Sequence, residues 1–172
     1  MTQERGGVIR VRPAAVADRA FLLAAIIELQ EHERHLHDTR RPGTEIAVAQ
    51  LALIEARAAG QGAILVAELE GAPVGFVAGW VEQEEVAAET AESNRFGLIA
   101  DICVLEPHRC QRIAAPLLEA MEAHLAAAGV TWLRINVLAA NAPARAAYAR
   151  AGYVPYEILH EKRLRPPSLG AL

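Results

Sequence analysis

From Phe96 onward the chain changes its pattern repeatedly, and this limits its fold more than any other feature. Phe96 to Val104 reads as a strongly apolar strand. A turn at Glu106-Pro107-His108 follows, then a long helix that runs to Ala128 and is ended by Gly129. Thr131 to Leu138 returns to strand character. Asn141 begins a short helix that stops at Gly152, and Tyr153 to Leu164 has the pattern of a final strand. Strands that alternate with helices in this way imply a mixed sheet covered on its faces.

The first half completes the order. Val8 to Val11 alternates apolar and basic residues up to Pro13 and predicts a short strand. Asp18 leads a helix that carries Phe21, Leu22, Ile26 and Leu29 at helical spacing. A polar stretch, Gln30 to Arg41, ends in the turn signal Pro42-Gly43. Thr44 is then the expected cap of a second helix, which runs to about Ala59 and is stopped by Gly60. Ala63 to Leu69 and Val74 to Val81 flank Glu70-Gly71, a tight turn, and predict a hairpin. Gln83 to Asn94 is an acidic loop. The expected order is β-α-α-β-β-β-α-β-α-β, an α/β or α+β chain. There is no repeat, low-complexity tract or linker to split it, so one domain over 1–172 is expected, with Pro166 to Leu172 a frayed tail.

Composition narrows the class. The 172 residues suffice for one domain with a core of its own. A net charge of −4 gives no basic stripe for nucleic acid. Cys103 and Cys110 form neither a CxxC pair nor a disulfide scaffold, which fits a reducing compartment. The N-terminal MTQERGGVIRVRP has no apolar signal core, and no apolar run approaches the ~20 residues that cross a bilayer. The expectation is a cytoplasmic protein with neither a membrane nor a nucleic acid as partner.

The chemistry concentrates between Ala100 and Tyr156. A strand that ends at Val104 and a basic turn that opens a helix present free backbone N–H groups and the positive end of the helix dipole to an anion. Arg109 and Arg112 add charge. Pro116 is tolerated because early helical positions need no N–H partner. Asn141 and Tyr148 lie seven residues apart, about two helical turns, and so lie near one helix face. Taken singly, Asn141 reads as an N-cap and Tyr148 as a packed aromatic with its hydroxyl at a rim.

Together these residues resemble the acyl-CoA core of the GNAT superfamily of N-acetyltransferases. The loop pattern Arg/Gln-x-x-Gly-x-Gly/Ala reads here as Arg109-Cys110-Gln111-Arg112-Ile113-Ala114. The downstream pattern reads as Asn141, Ala144, Tyr148 and Gly152-Tyr153. The similar layout covers about residues 9 to 164. Arg112 stands where the family prefers glycine. An arginine is sterically acceptable there at helical φ/ψ, with its side chain turned outward or on a phosphate, and helical angles are the expectation.

The resemblance implies a central mixed, mostly antiparallel sheet flanked by helices, with a splayed strand pair at the cofactor site. It implies acetyl-CoA as co-substrate and no metal. The backbone of Cys103 and Val104 would pair with the pantetheine arm, Arg109 to Ala114 would hold the pyrophosphate, and Asn141 would contact the cofactor. Tyr148 would protonate the departing thiolate. The acceptor would be a primary amine of a small molecule or peptide, attacked directly, and a homodimer is compatible with the family. Asp101 and Glu33 are candidate bases, and neither stands out from the other or from solvent.

Other readings compete. His32, His35 and His37 beside Glu31 and Glu33 suggest a metal, but the run His32-Glu33-Arg34-His35 breaks the His-Glu-x-x-His spacing. The acidic Glu82 to Glu92 loop suits a cationic amine or is simply solvated. Cys110 has no His partner to make it a nucleophile. A second class also stands: a GNAT-like domain with weakened cofactor binding that works as a binding or regulatory module. Cys110 and Arg112 motivate it.

Overall fold

The computed structural model describes residues 8–164. Five strands form one sheet in the order β1-β2-β3-β4-β5. They are β1 (Ile9–Pro13), β2 (Ala63–Leu69), β3 (Ala72–Gln83), β4 (Arg95–Val104) and β5 (Trp132–Ile135). Helices α1 (Arg19–Leu36) and α2 (Gly43–Ala58) precede β2, α3 (Ala114–Ala127) joins β4 to β5, and α4 (Ala142–Arg150) follows β5. β1 to β4 pair antiparallel and β4 pairs parallel with β5, so the sheet is mixed and mostly antiparallel. No helix of the described residues is long and apolar enough to cross a membrane.

Strand alternation divides the core between two faces. Val66, Phe76, Ala78 and Cys103 pack with Leu22, Ile26, Leu51 and Ile54 of α1 and α2. Leu65, Ala67, Val77 and Ile99 pack with Leu117, Leu118, Met121 and Leu125 of α3. The β2–β3 turn places Glu70 at φ 52° and Gly71 at φ 82°, the left-handed pair a two-residue hairpin requires. Before α1, Arg12 of β1 forms two hydrogen bonds with Asp18, 2.6 and 2.9 Å, and a third with Glu68. That guanidinium holds the buried Asp18 carboxyl down to about 2 and anchors the start of α1 to the sheet.

Four expectations change. The helical run does not stop near Leu29: α1 continues through the polar residues to Leu36, whose last turns are solvated. Thr44 does not cap α2. The helix starts at Gly43, and the Gly43 N–H donates to Glu31 Oε1 at 2.7 Å, so a side chain from α1 does the capping. The strand expected over Thr131 to Leu138 keeps only Trp132 to Ile135.

The final strand expected over Tyr153 to Leu164 does not form. Its residues after Tyr153 are exposed, Ile158 and Leu159 to 71% and 93%. Pro155 lacks the N–H a ladder needs, and side chains hold the segment instead: Tyr156 donates to Glu89 and Arg163 to Asp38. The expected tail, Pro166 to Leu172, lies outside the described residues.

Candidate active site

The site starts from an incomplete strand pairing. β4 and β5 are in register for four pairs only, Phe96 with Trp132 through Ile99 with Ile135. β4 then runs on to Val104 with β3 on one side and, among the described residues, no strand on the other. Leu105 donates its N–H to Val74 of β3. By the alternation of an antiparallel ladder, the backbone groups of Cys103 also face β3, while those of Ile102 and Val104 face the open side. An extended amide-bearing chain laid in the gap would therefore meet Ile102 and Val104. Cys103 contributes a buried thiol, pushed up to about 12 chiefly by burial, which keeps it protonated.

The turn after β4 holds the predicted loop residues. Arg109 does not extend into solvent. Its Nε donates to the Val104 carbonyl at 3.0 Å and its Nη2 to Glu28 of α1 at 2.7 Å. Gln111 donates to the Pro107 carbonyl, Ile113 is buried beneath the loop, and Ala114 opens α3. The helical angles expected for Arg112 are not found: its φ is 60°, and that of Cys110 is 64°. Both are left-handed, a conformation in which the Cβ of an L-residue crowds its own carbonyl at a cost of roughly 1–2 kcal/mol each. Arg109 is extended (φ −65°, ψ 160°), but the left-handed Arg112 is followed by a right-handed Ile113 (φ −68°, ψ −29°). A left-handed residue beside a right-handed one turns their N–H groups toward one side, the kind of concavity that receives anions.

Asn141 caps α4, its Oδ1 accepting the Ala144 N–H at 3.2 Å. Tyr148 lies two turns on, half-buried against the α3 face and tilted on Tyr153 with ring centroids 6.2 Å apart. Its phenol is pushed up to about 12, first by burial and then by the negative charges of Glu33 and Asp101. Those two carboxylates belong to α1 and β4, on the other face of the sheet. The charge of carboxylates on one face is therefore felt at a phenol that packs on the other.

Asp101 is held by Gln50 of α2, whose Nε2 donates to Oδ2 at 3.2 Å. Burial raises its pKa, with Glu33 adding to the rise, while Gln50 and Arg40 oppose it. Glu33 pairs with Arg40 at 3.3 Å. Asp101, Glu33, Arg40 and the protonated Tyr148 thus act on one another electrostatically across the end of the sheet.

Glu28, Gln50 and Arg40 were not singled out by sequence reasoning. Each is an ordinary polar residue on or beside an amphipathic helix, and only the tertiary fold brings it to the strand end. The histidines are dispersed: His35 bonds the Glu31 carbonyl and His37 bonds Thr39. Among the described residues no cluster is arranged to hold a metal.

Comparison with known proteins places this geometry. The sequence matches the acetyltransferase (GNAT) family over residues 23–153. The fold is similar to a point mutant of the BH1408 protein from Bacillus halodurans, with a TM-score of 0.72 and 19% identity over 91% of this chain and 99% of that one. It is similar to a GCN5-related N-acetyltransferase from Ralstonia eutropha, with a TM-score of 0.70 and 19% identity over 91% and 99%. It is also similar to the aminoglycoside N-acetyltransferase AAC(6')-Iy in complex with CoA, with a TM-score of 0.66 and 18% identity over 96% and 100%. No curated protein matches the sequence.

The left-handed loop yields a stability prediction. Arg112→Gly removes a Cβ from a positive-φ position and raises stability by about 1 kcal/mol. Urea unfolding of the two proteins under one set of conditions measures it; an arginine at least as stable as glycine there contradicts the strain.

Asp101 yields another. Because its folded pKa is raised, the fold favours the neutral carboxyl, and stability falls as pH climbs from the unfolded value, near 3.8, through the folded one. Asp101→Asn removes that cost, so thermal midpoints at pH 8 rise above wild type by a few degrees and converge with wild type as pH falls toward 4.

Proposed function

The chain belongs to the acetyltransferase (GNAT) family, and from that membership we propose that it is an N-acetyltransferase that moves the acetyl group of acetyl-CoA to a primary amine of a small molecule or peptide. The observation that carries this reading is the open edge of β4, where Ile102 and the Val104 N–H have no partner strand and the Val104 carbonyl is taken by Arg109, next to a turn whose Arg112–Ile113 pair has the geometry of an anion-receiving concavity. A pantetheine arm has amides that match the first, and a pyrophosphate matches the second.

The thioester supplies an acyl carbon that a neutral amine attacks directly. A C–N bond forms, the C–S bond breaks and the thiolate departs, and the proton that the attacking nitrogen loses on becoming an amide passes, directly or through solvent, to the thiolate. The side chains at the gap serve the two ends of this exchange. An amine that arrives as an ammonium ion meets Asp101 and Glu33, and it sheds a proton before attack. Asp101, made more basic by burial, is the group at the gap best suited to take it.

Tyr148 serves the leaving end. With the phenol near 12 and a thiol near 8.5, full proton transfer to the thiolate runs uphill at the outset. The phenol therefore donates a hydrogen bond as charge develops on sulfur, and it stays protonated across the whole working range of pH.

The alternative, a binding or regulatory module with weakened cofactor binding, draws on the non-glycine residues in left-handed geometry in the loop. The two readings separate by measurement. Acetyl-CoA at ~100 times its Kd stabilises the N-acetyltransferase by about 2.7 kcal/mol, seen as a raised thermal midpoint. No shift at millimolar acetyl-CoA overturns the proposal and favours the module.

Tyr148→Phe keeps the ring and its packing. It lowers kcat by about 10²-fold with little change in the KM for acetyl-CoA. Steady-state kinetics on an acceptor found by a panel of amines, read as free thiol release, decides this. Turnover within about two-fold of wild type assigns Tyr148 to packing alone.

A further inference from the structure

The loop that follows β4 is held in a conformation its own residues disfavour. Cys110 and Arg112 both have positive φ, and no glycine lies between Arg109 and Ala114. Backbone strain of this kind persists only where surrounding contacts over-determine it. At the loop's exit the fixed point is Ile113, 1% exposed in the α3 core. At its entry the fixed point comes from another element. Glu28 of α1 accepts the Glu106 N–H at 2.7 Å and the Arg109 Nη2 at 2.7 Å, both on Oε1. Arg109 in turn donates to the last carbonyl of β4, Val104. One carboxylate thus ties α1, the end of β4 and both ends of the short turn Glu106–His108 together, directly ahead of the strained residues.

We infer that Glu28 is the positioning residue of the cofactor loop: by clamping Glu106 and Arg109 it enforces the left-handed Cys110 and Arg112 that aim the loop's N–H groups at a phosphate. The clamp does the work that glycine would do by conformational freedom. Arg109 accordingly acts as a strut between α1 and β4, and the phosphates are left to the backbone N–H groups and to Arg112. The inference rests on the acetyl-CoA reading above, and its test separates the two.

The test uses the full chain, acetyl-CoA as the probe, and two readouts. Calorimetric titration needs no acceptor. Glu28→Ala removes a charge-assisted pair and an N–H acceptor and weakens acetyl-CoA by about ten-fold. Glu28→Gln, whose Oε1 still accepts, retains most of the affinity. In an Arg112→Gly background, where the loop is less strained, the loss from Glu28→Ala shrinks to about three-fold or less.

Amide hydrogen exchange over residues 106–113, measured without cofactor, reports the loop directly: it speeds up in Glu28→Ala and returns toward wild type in Glu28→Gln. Acetyl-CoA affinity within about two-fold of wild type in Glu28→Ala overturns the inference, as does an equal loss in both backgrounds. If wild type binds no acetyl-CoA, the function proposed above fails instead. The exchange readout then still decides whether Glu28 holds the loop, and unchanged protection in Glu28→Ala overturns it.

Discussion

The parallel pairing of β4 with β5 stops after four residue pairs, and the rest of the site depends on where it stops. Had the ladder continued to Val104, the backbone groups of Ile102 and Val104 would be spent on a neighbouring strand, as those of Cys103 are on β3. Ending it leaves a half-used, partly exposed strand edge beside a helix N-terminus. Backbone groups there without a strand partner take water or another polar group instead. Arg109 satisfies one of these groups, the Val104 carbonyl. Tyr148, packed on the α3 face, also feels the charges of Glu33 and Asp101 from the α1–α2 face.

The loop beyond Val104 shows how a pattern can be kept while its physics changes. Glycine adopts positive φ freely. Here the same backbone shape is carried by a cysteine and an arginine, in a loop flanked by the Glu28 contact from α1 and by the buried Ile113.

Much of this was legible before the fold was known. The change from strand to helix and back between Phe96 and Gly152 predicted the mixed sheet, and the spacing of Asn141, Ala144 and Tyr148 predicted a short capped helix. These features are local and periodic, and sequence reports such features well. Three others were not legible. Thr44 has the chemistry of a cap, but Glu31 from α1 satisfies the Gly43 N–H instead. Tyr153 to Leu164 has apolar alternation and yet no strand, because a strand needs a ladder partner and Pro155 cannot donate to one. The left-handed φ at Arg112 lies in a loop tied through Arg109 to a helix about eighty residues earlier, a contact for which no pattern around Arg112 gives a signal.

The same distinction applies to the charges at the gap. Asp101 and Glu33 are far apart in sequence and come from elements on one face, and Tyr148 comes from the other. Each raises the cost of the next negative charge in the gap: Glu33 raises the Asp101 pKa, and both raise that of Tyr148. A cation beside them would oppose the part of these shifts that comes from neighbouring carboxylates, while the part that comes from burial, the larger one, would remain. On the acetyl-transfer proposal, such carboxylates would suit an amine that enters charged and leaves as a neutral amide, because the product would no longer offer the positive charge that held the substrate.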